Sequence, residues 1–380
     1  MKKNAERLLV VFFVGTLFLL SLLFFFLPHL RFSELENRFL QRPPKMTLEN
    51  VLSSNYATEA ESYVTDHFPF RDQWLWIKSV SEQARLQQEN NGIYKGKDEY
   101  LFEKFLQPDY HKLQRYIEGV NTFGDNHTDV DITFMLAPTS VGLYPERLPW
   151  LAPSYSQEDV SEFVSNYLDN DITYMDGFDF LSPHASESIY YRTDHHWSTY
   201  GAYLAYVAYI EKKGWQPLSQ DDFIIKEVSN SFLGSYHTRS QFHGLSPDMI
   251  EAYLPIEQVA TEIFIADTNE TLSSMYDESF LGKKDQYAYF LGGVHALMTI
   301  KSDLDKLDIK QDKLLIIKDS YAHNVIPFLT NHIPEIHVID IRYYNGSIGE
   351  YMSDNGLKDV LYIFNISTFV EDASLLKLNN

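Results

Sequence analysis

The chain of 380 residues carries 53 acidic against 31 basic side chains, a net charge of −22, and no cysteine. That charge argues against a nucleic-acid binder, since phosphate recognition relies on clustered Lys and Arg, and it disfavours a polyanionic substrate held by charge alone. The missing cysteines exclude disulfide staples and thiolate metal sites, while 26 Tyr and 26 Phe give ample material for one large core or two small ones.

The first predicted element is the apolar run Leu8–Leu27, twenty residues without a charge, preceded by Lys2, Lys3 and Arg7. About 20 helical residues span the hydrocarbon of a bilayer. A cleaved signal peptide has a shorter core and a small-residue cleavage site, and Pro28-His29-Leu30-Arg31-Phe32 offers none. The expectation is an uncleaved single-pass anchor. Arg31, Arg38, Arg42 and Lys45 beyond the run nearly balance the positive-inside count. The very short basic N-terminus favours the N-terminus inside and the bulk of the chain outside.

Residues 28–47 read as a juxtamembrane linker ending in Pro43-Pro44. Helical patterns follow over about 48–63 and, after Pro69, to about Gln87, with Trp74, Trp76, Ile77 and Val80 at helical spacing. They form a predicted helical arm within 28–92. From Ile93 onwards strands and helices alternate. Strands are predicted at 132–136, 173–175, 314–317, 337–341 and 360–364. Helices are predicted near 113–121, 160–167, 199–213, 322–331 and 349–354. This alternation predicts an α/β sandwich with a mostly parallel sheet over 93–380. Residues 214–285 fit it poorly and read as an insertion of loops with room for a hairpin. In such sheets ligands bind at the carboxyl ends of the strands.

Chemistry-bearing residues concentrate in two segments. One is Tyr190-Tyr191-Arg192-Thr193-Asp194-His195-His196-Trp197; the other is Leu314-Leu315-Ile316-Ile317-Lys318-Asp319-Ser320-Tyr321. An acid and an imidazole two residues apart supply two parts of a nucleophilic triad, and a serine after an apolar strand supplies the third. Side chains at i and i+2 of an extended segment share a side, although a local bend is needed for Asp194 to reach His196. His195 in place of His196 stays open as the base. Asp319 or Ser320 can instead cap a helix that starts at Tyr321. A metal site built from Asp194, His195 and His196 with His184 is the chemical rival. Consecutive histidines are expected to diverge, and no His-x-x-x-His pattern is present, so no metal is expected.

The two segments resemble the DHHW family, a branch of the SGNH-hydrolase-like proteins related to the alginate O-acetylation proteins. Asn91-Gly92-Ile93-Tyr94-Lys95-Gly96-Lys97-Asp98-Glu99-Tyr100-Leu101-Phe102, Ala137-Pro138-Thr139, Phe290-Leu291-Gly292-Gly293 and Asp340-Ile341-Arg342-Tyr343-Tyr344 extend the likeness over roughly 30–370. It implies an SGNH-like three-layer α/β/α fold with Ser320 as nucleophile, His196 as base, Asp194 as its orienter and His195 as structural. It implies an O-acyltransferase, most simply O-acetyl, acting on an envelope or exported polysaccharide. The implied donor partner is a multipass membrane-bound O-acyltransferase, with no cofactor. A carbohydrate acetylesterase using the same triad and a non-catalytic polysaccharide-binding protein are the alternatives. The oxyanion hole departs from the pattern, because Val294 follows Gly292-Gly293 where many relatives have Asn. Gly293 is the candidate donor, with Asn365 or Arg342 as stand-ins. Tyr190, Tyr191 and Tyr321 are candidate faces for a saccharide, and Trp197 is expected to pack beneath the loop. The resemblance places the bulk of the chain outside the membrane, and the absence of cysteine suits a Gram-positive cell surface.

Overall fold

A computed structural model describes residues 2–33, 38–52, 55–304 and 311–379. They form two compact units, one within residues 1–87 plus Gln241–His243, the other spanning 88–240 and 244–380.

The first unit opens with a helix over Lys2–Phe26. Its Asn4–Phe26 stretch is long and apolar enough to cross a membrane. Two short antiparallel strands follow, β1 (Phe32–Ser33) and β2 (Arg38–Phe39). Helices over Leu48–Leu52, Asn55–Asp66 and Arg71–Ala84 complete the unit. The buried carboxylate of Asp66 ties the linker to the arm. It accepts from the Arg38 guanidinium at 2.5 and 3.0 Å and from the Gln41 N–H at 2.7 Å.

The second unit begins with three short antiparallel strands, β3 (Glu89–Asn90), β4 (Ile93–Lys95) and β5 (Leu101–Glu103). Its main sheet contains β6 (Asp131–Ala137), β7 (Ile172–Asp176), β10 (Thr261–Ile265), β11 (Glu270–Leu272), β12 (Leu297–Ser302), β13 (Lys313–Lys318), β14 (Glu335–Ile339) and β15 (Asp359–Asn365). The order is β11-β10-β12-β14-β13-β15-β6-β7. The run β14-β13-β15-β6-β7 is parallel throughout, and the pairs from β14 outward through β12 and β10 to β11 are antiparallel. Leu314–Ile317 of β13 are fully buried, as expected for a central parallel strand covered on both faces. The helices over Tyr110–Asn126, Gln157–Tyr167 and Thr199–Lys212 bury Leu113, Ile117, Val120, Val160, Val164, Ala205 and Ile210 in the same core. The result is the α/β sandwich expected from the alternation, in the three-layer α/β/α form that the resemblance implied.

All five sequence-predicted strands are present, each a residue or two off at its ends. The predicted helix near 322–331 differs. It is a 3₁₀ turn over Ser320–Asn324 followed by one α-turn over Ile326–Leu329, with Pro327 early in the second piece. The poorly periodic 214–285 segment is not only loops. It forms an antiparallel pair, β8 (Phe223–Phe232) with β9 (Asp248–Pro255), and then β10 and β11 at the edge of the main sheet. Because β13, β14, β15 and β6 run parallel, Ser320, Arg342, Asn365 and Thr139 all follow the same edge of the sheet.

Candidate active site

Tyr190–Trp197 folds as a tight loop. An isolated antiparallel bridge joins Tyr190 to Trp197, and the Tyr191 N–H donates to the His196 carbonyl. Ser198 then caps the Thr199–Lys212 helix through Gly201. This closure provides the bend that the Asp194–His196 pair needs. The His196 N–H and Nδ1–H both donate to Asp194 Oδ1, at 3.0 and 2.6 Å. On its other side His196 Nε2 lies 2.7 Å from Ser320 Oγ. Asp194, His196 and Ser320, the last 124 residues away from the histidine, thus form one continuous hydrogen-bond chain.

The carboxylate is held from a third direction. The Ser235 N–H donates to Asp194 Oδ2 at 2.6 Å. Gly234 makes this approach possible: a Cβ there would lie 2.3 Å from Asp194 Cβ and 2.4 Å from Oδ2. Asp248 fixes the loop from below, accepting from the Arg192 and Thr193 N–H groups at 3.0 and 2.8 Å and from the Thr193 hydroxyl at 2.6 Å. Burial alone would raise the Asp194 pKa. The charges of His195 and His196 and the hydrogen bonds from His196 and Ser235 outweigh it and hold the carboxyl well below the usual range. Tyr287 stacks on His196 with ring centroids 3.6 Å apart and planes 10° apart. Its hydroxyl donates to the Ser320 carbonyl or to Asn324 Oδ1, at 3.2 and 3.1 Å. One ring therefore braces His196 and Ser320 together.

The cap at the end of β13 belongs to Asp319. Its Oδ1 accepts from the Tyr321 N–H at 2.8 Å, and its Oδ2 accepts from the Asn365 N–H and side-chain amide at 2.8 and 2.7 Å. Ser320 Oγ is thereby left to His196. The Tyr321 N–H is spent on the cap. The Ser320 N–H, first in its turn, has no acceptor within the helix. Burial pushes the Asp319 carboxyl up to about 6 despite its hydrogen bonds.

Behind Ser320 lies a buried ionic cluster. Lys318 Nζ, essentially inaccessible, donates to Asp340 Oδ2 at 3.1 Å and to His323 Nε2 at 2.7 Å. Burial lowers the pKa of Lys318 and, with the Lys318 charge beside it, that of His323. Arg342 closes the cluster as a two-pronged donor to Asp340, at 2.8 and 2.6 Å.

Several sequence-based candidates take other roles. Asn365 cannot serve as an oxyanion donor, because its two amide hydrogens go to Asp319 and Thr368 Oγ1. Tyr321 is fully buried and donates to the His195 carbonyl at 2.5 Å. Tyr190 and Tyr191 are also buried, so none of the three offers a face to a sugar. Gly293 sits in an elbow where Leu291, Gly292 and Gly293 all have positive φ (62°, 70° and 96°), and its N–H makes only a long 3.4 Å contact with the Phe290 carbonyl. Val294 is exposed. Trp197 is buried as expected, its indole N–H shared by the Tyr321 carbonyl and Asn324 Oδ1 at 3.0 and 2.8 Å. His195 and His196 do not diverge: their rings lie 3.7 Å apart, and the ligand atoms of Asp194, His195 and His196 fall within 4.8 Å of one another. Both nitrogens of His196 are nevertheless engaged by Asp194 and Ser320. His184 is engaged elsewhere, by Glu187 and Tyr200. Gly234, Ser235, Asp248, Tyr287 and Asn324 were not legible beforehand.

The fold and this edge arrangement define an SGNH-hydrolase-like α/β protein. Residues 153–339, just under half of the chain, match the family model described as DHHW protein. A crystal structure of a DHHW family protein from Eubacterium siraeum is similar at 25% identity and a TM-score of 0.67, covering 77% of this chain and 96% of that one. Bacillus cereus PatB1, solved with a sulfonyl adduct, shares the fold at 17% identity and a TM-score of 0.64, covering 76% and 98%. The O-acetyltransferase domain of Pseudomonas putida AlgJ aligns more loosely, at 14% identity and a TM-score of 0.46, over 76% and 99%. A comparison with curated proteins gave no match.

Proposed function

We propose that this chain is an extracytoplasmic O-acyltransferase, tethered by residues 8–27, that carries an acyl group on Ser320 and passes it to a polysaccharide hydroxyl. The supporting observation is the unbroken chain from Asp194 through His196 to Ser320 Oγ. A serine hydroxyl is a weak nucleophile until a base removes its proton. His196 Nε2 takes that proton as Oγ attacks the acyl carbonyl, then returns it to the departing donor oxygen. An acceptor hydroxyl next gives its proton to His196 and attacks the Ser320 ester. The C–Oγ bond breaks and Oγ recovers the proton. Asp194 stays ionised and holds the imidazole tautomer. The Ser320 N–H, with Gly293 as the candidate second donor, stabilises the oxyanion.

The family resemblance points to acetyl as the group carried, to an envelope or exported polysaccharide as acceptor, and to a multipass membrane-bound O-acyltransferase as donor. An anchor beside such a partner raises the effective concentration of the two. The test supplies full-length protein with p-nitrophenyl acetate and an oligosaccharide. Acetylated sugar in excess of free acetate, lost in Ser320→Ala and His196→Ala, is the expected result. Acetate alone makes the protein an esterase. Neither product, from folded protein, makes it a binding protein.

A further inference from the structure

A cleft of about 640 Å³ opens beside the triad in the second unit. Its volume falls within the roughly 300–1,000 Å³ of small-ligand sites. Two floor residues adjoin the reacting groups. His195 precedes the base in the chain, and its Nδ1 is held by Ser235 Oγ at 2.6 Å. Asn365 is hydrogen-bonded to Asp319, the neighbour of the nucleophile. The walls come from the segment after β5, which includes Gln107, and from the segment after β15, which includes Ser367 and Glu371.

Two properties of this cleft define its ligand. The aromatic side chains that reach it, Phe105, Tyr116 and Tyr236, are buried, so recognition rests on hydrogen bonds rather than stacking. Its lining charge is acidic by one group, four carboxylates against three basic side chains. Arg342 is committed to Asp340, and Glu103 is paired with Arg239 at 2.5 Å. The remaining lining charges are Asp109, Glu371 and Asp372 against Lys104 and Lys112.

Resting on the reading of Ser320 above, we infer that this cleft is the acceptor subsite and that it selects an uncharged polyhydroxylated saccharide over a uronate. Carboxylates accept hydrogen bonds from sugar hydroxyls and repel a uronate carboxylate. The acceptor hydroxyl enters past His195 and reaches His196 and the Ser320 ester from that side.

The test uses full-length protein loaded with acetyl from p-nitrophenyl acetate. Decay of the acetyl-enzyme is followed with cellopentaose or with pentagalacturonate. Cellopentaose is expected to accelerate decay at least tenfold more than the uronate. Glu371→Lys, at the exposed rim, narrows that preference by about threefold or more, a modest change because exposed charges are screened. Glu118→Lys, outside the cleft, leaves the preference intact. A uronate that is the equal or better acceptor overturns the inference, and so does decay indifferent to either sugar. In both cases the acyl-enzyme reading survives. Failure to form any acetyl-enzyme sinks that reading and the inference with it.

Discussion

At the residue scale, the tightest tolerance in the second unit is around Asp194. Asp194→Asn keeps the shape but offers His196 Nδ1 an amide that can favour the wrong tautomer. The expected loss in acetyl-enzyme formation is about 10⁴-fold, in protein shown to be folded. Gly234→Ala tests the third hydrogen bond. The added methyl must displace Asp194 or Ser235, so acylation is expected to slow by at least ~10²-fold. A variant acylating at the normal rate would show that the Ser235 contact is dispensable. Asp319 gives a pH signature. Its folded pKa of about 6 lies above the ordinary 3.8, so the folded state holds the extra proton between those values. The unfolded state binds fewer protons in that window, and this residue's contribution to stability falls as pH rises from about 4 to 6. Asp319→Asn is expected to flatten that part of the stability–pH profile, read by thermal melts across the range.

At the element scale, the ends of the parallel strands converge because each is pinned to its neighbour. Lys318 after β13 meets Asp340 after β14, and Asp319 meets Asn365 after β15. Removing one partner of a buried ion pair costs about 3–5 kcal/mol when the other is left unpaired. Asp340→Leu strands buried Lys318 with His323 alone and is expected to fall in that range. Lys318→Met is expected to cost less, because Arg342 still satisfies Asp340. Denaturant melts order the two, and the reverse order would contradict the cluster as described. The central strands were legible as short apolar runs, and Asp194 and Ser320 as candidates from residue type and spacing, which left His195 and His196 both open until the family resemblance favoured His196. Their supports were not. Ser235 reaches Asp194 from 41 residues away, out of an insertion with no period to read. Tyr287 is one tyrosine among 26, and nothing local marks it as the ring on His196. Asn365 looked like a free amide because sequence shows a donor without showing what it already holds.

At the scale of the whole molecule, the helix over Asn4–Phe26 and the triad belong to separate compact units. Full-length protein is expected to stay in the membrane fraction through high-salt and alkaline-carbonate washes, and a chain lacking residues 1–27 to be released. Release of the full-length chain by either wash would contradict the anchor. The acyl-enzyme itself is tested most directly by intact mass spectrometry after brief exposure to p-nitrophenyl acetate. A single acetyl increment is expected, mapped to the Ser320 peptide, absent in Ser320→Ala and slow to appear in His196→Ala. An unmodified mass in protein shown to be folded, or an acetyl group that persists in Ser320→Ala, would contradict Ser320 as the carrier of the acyl group.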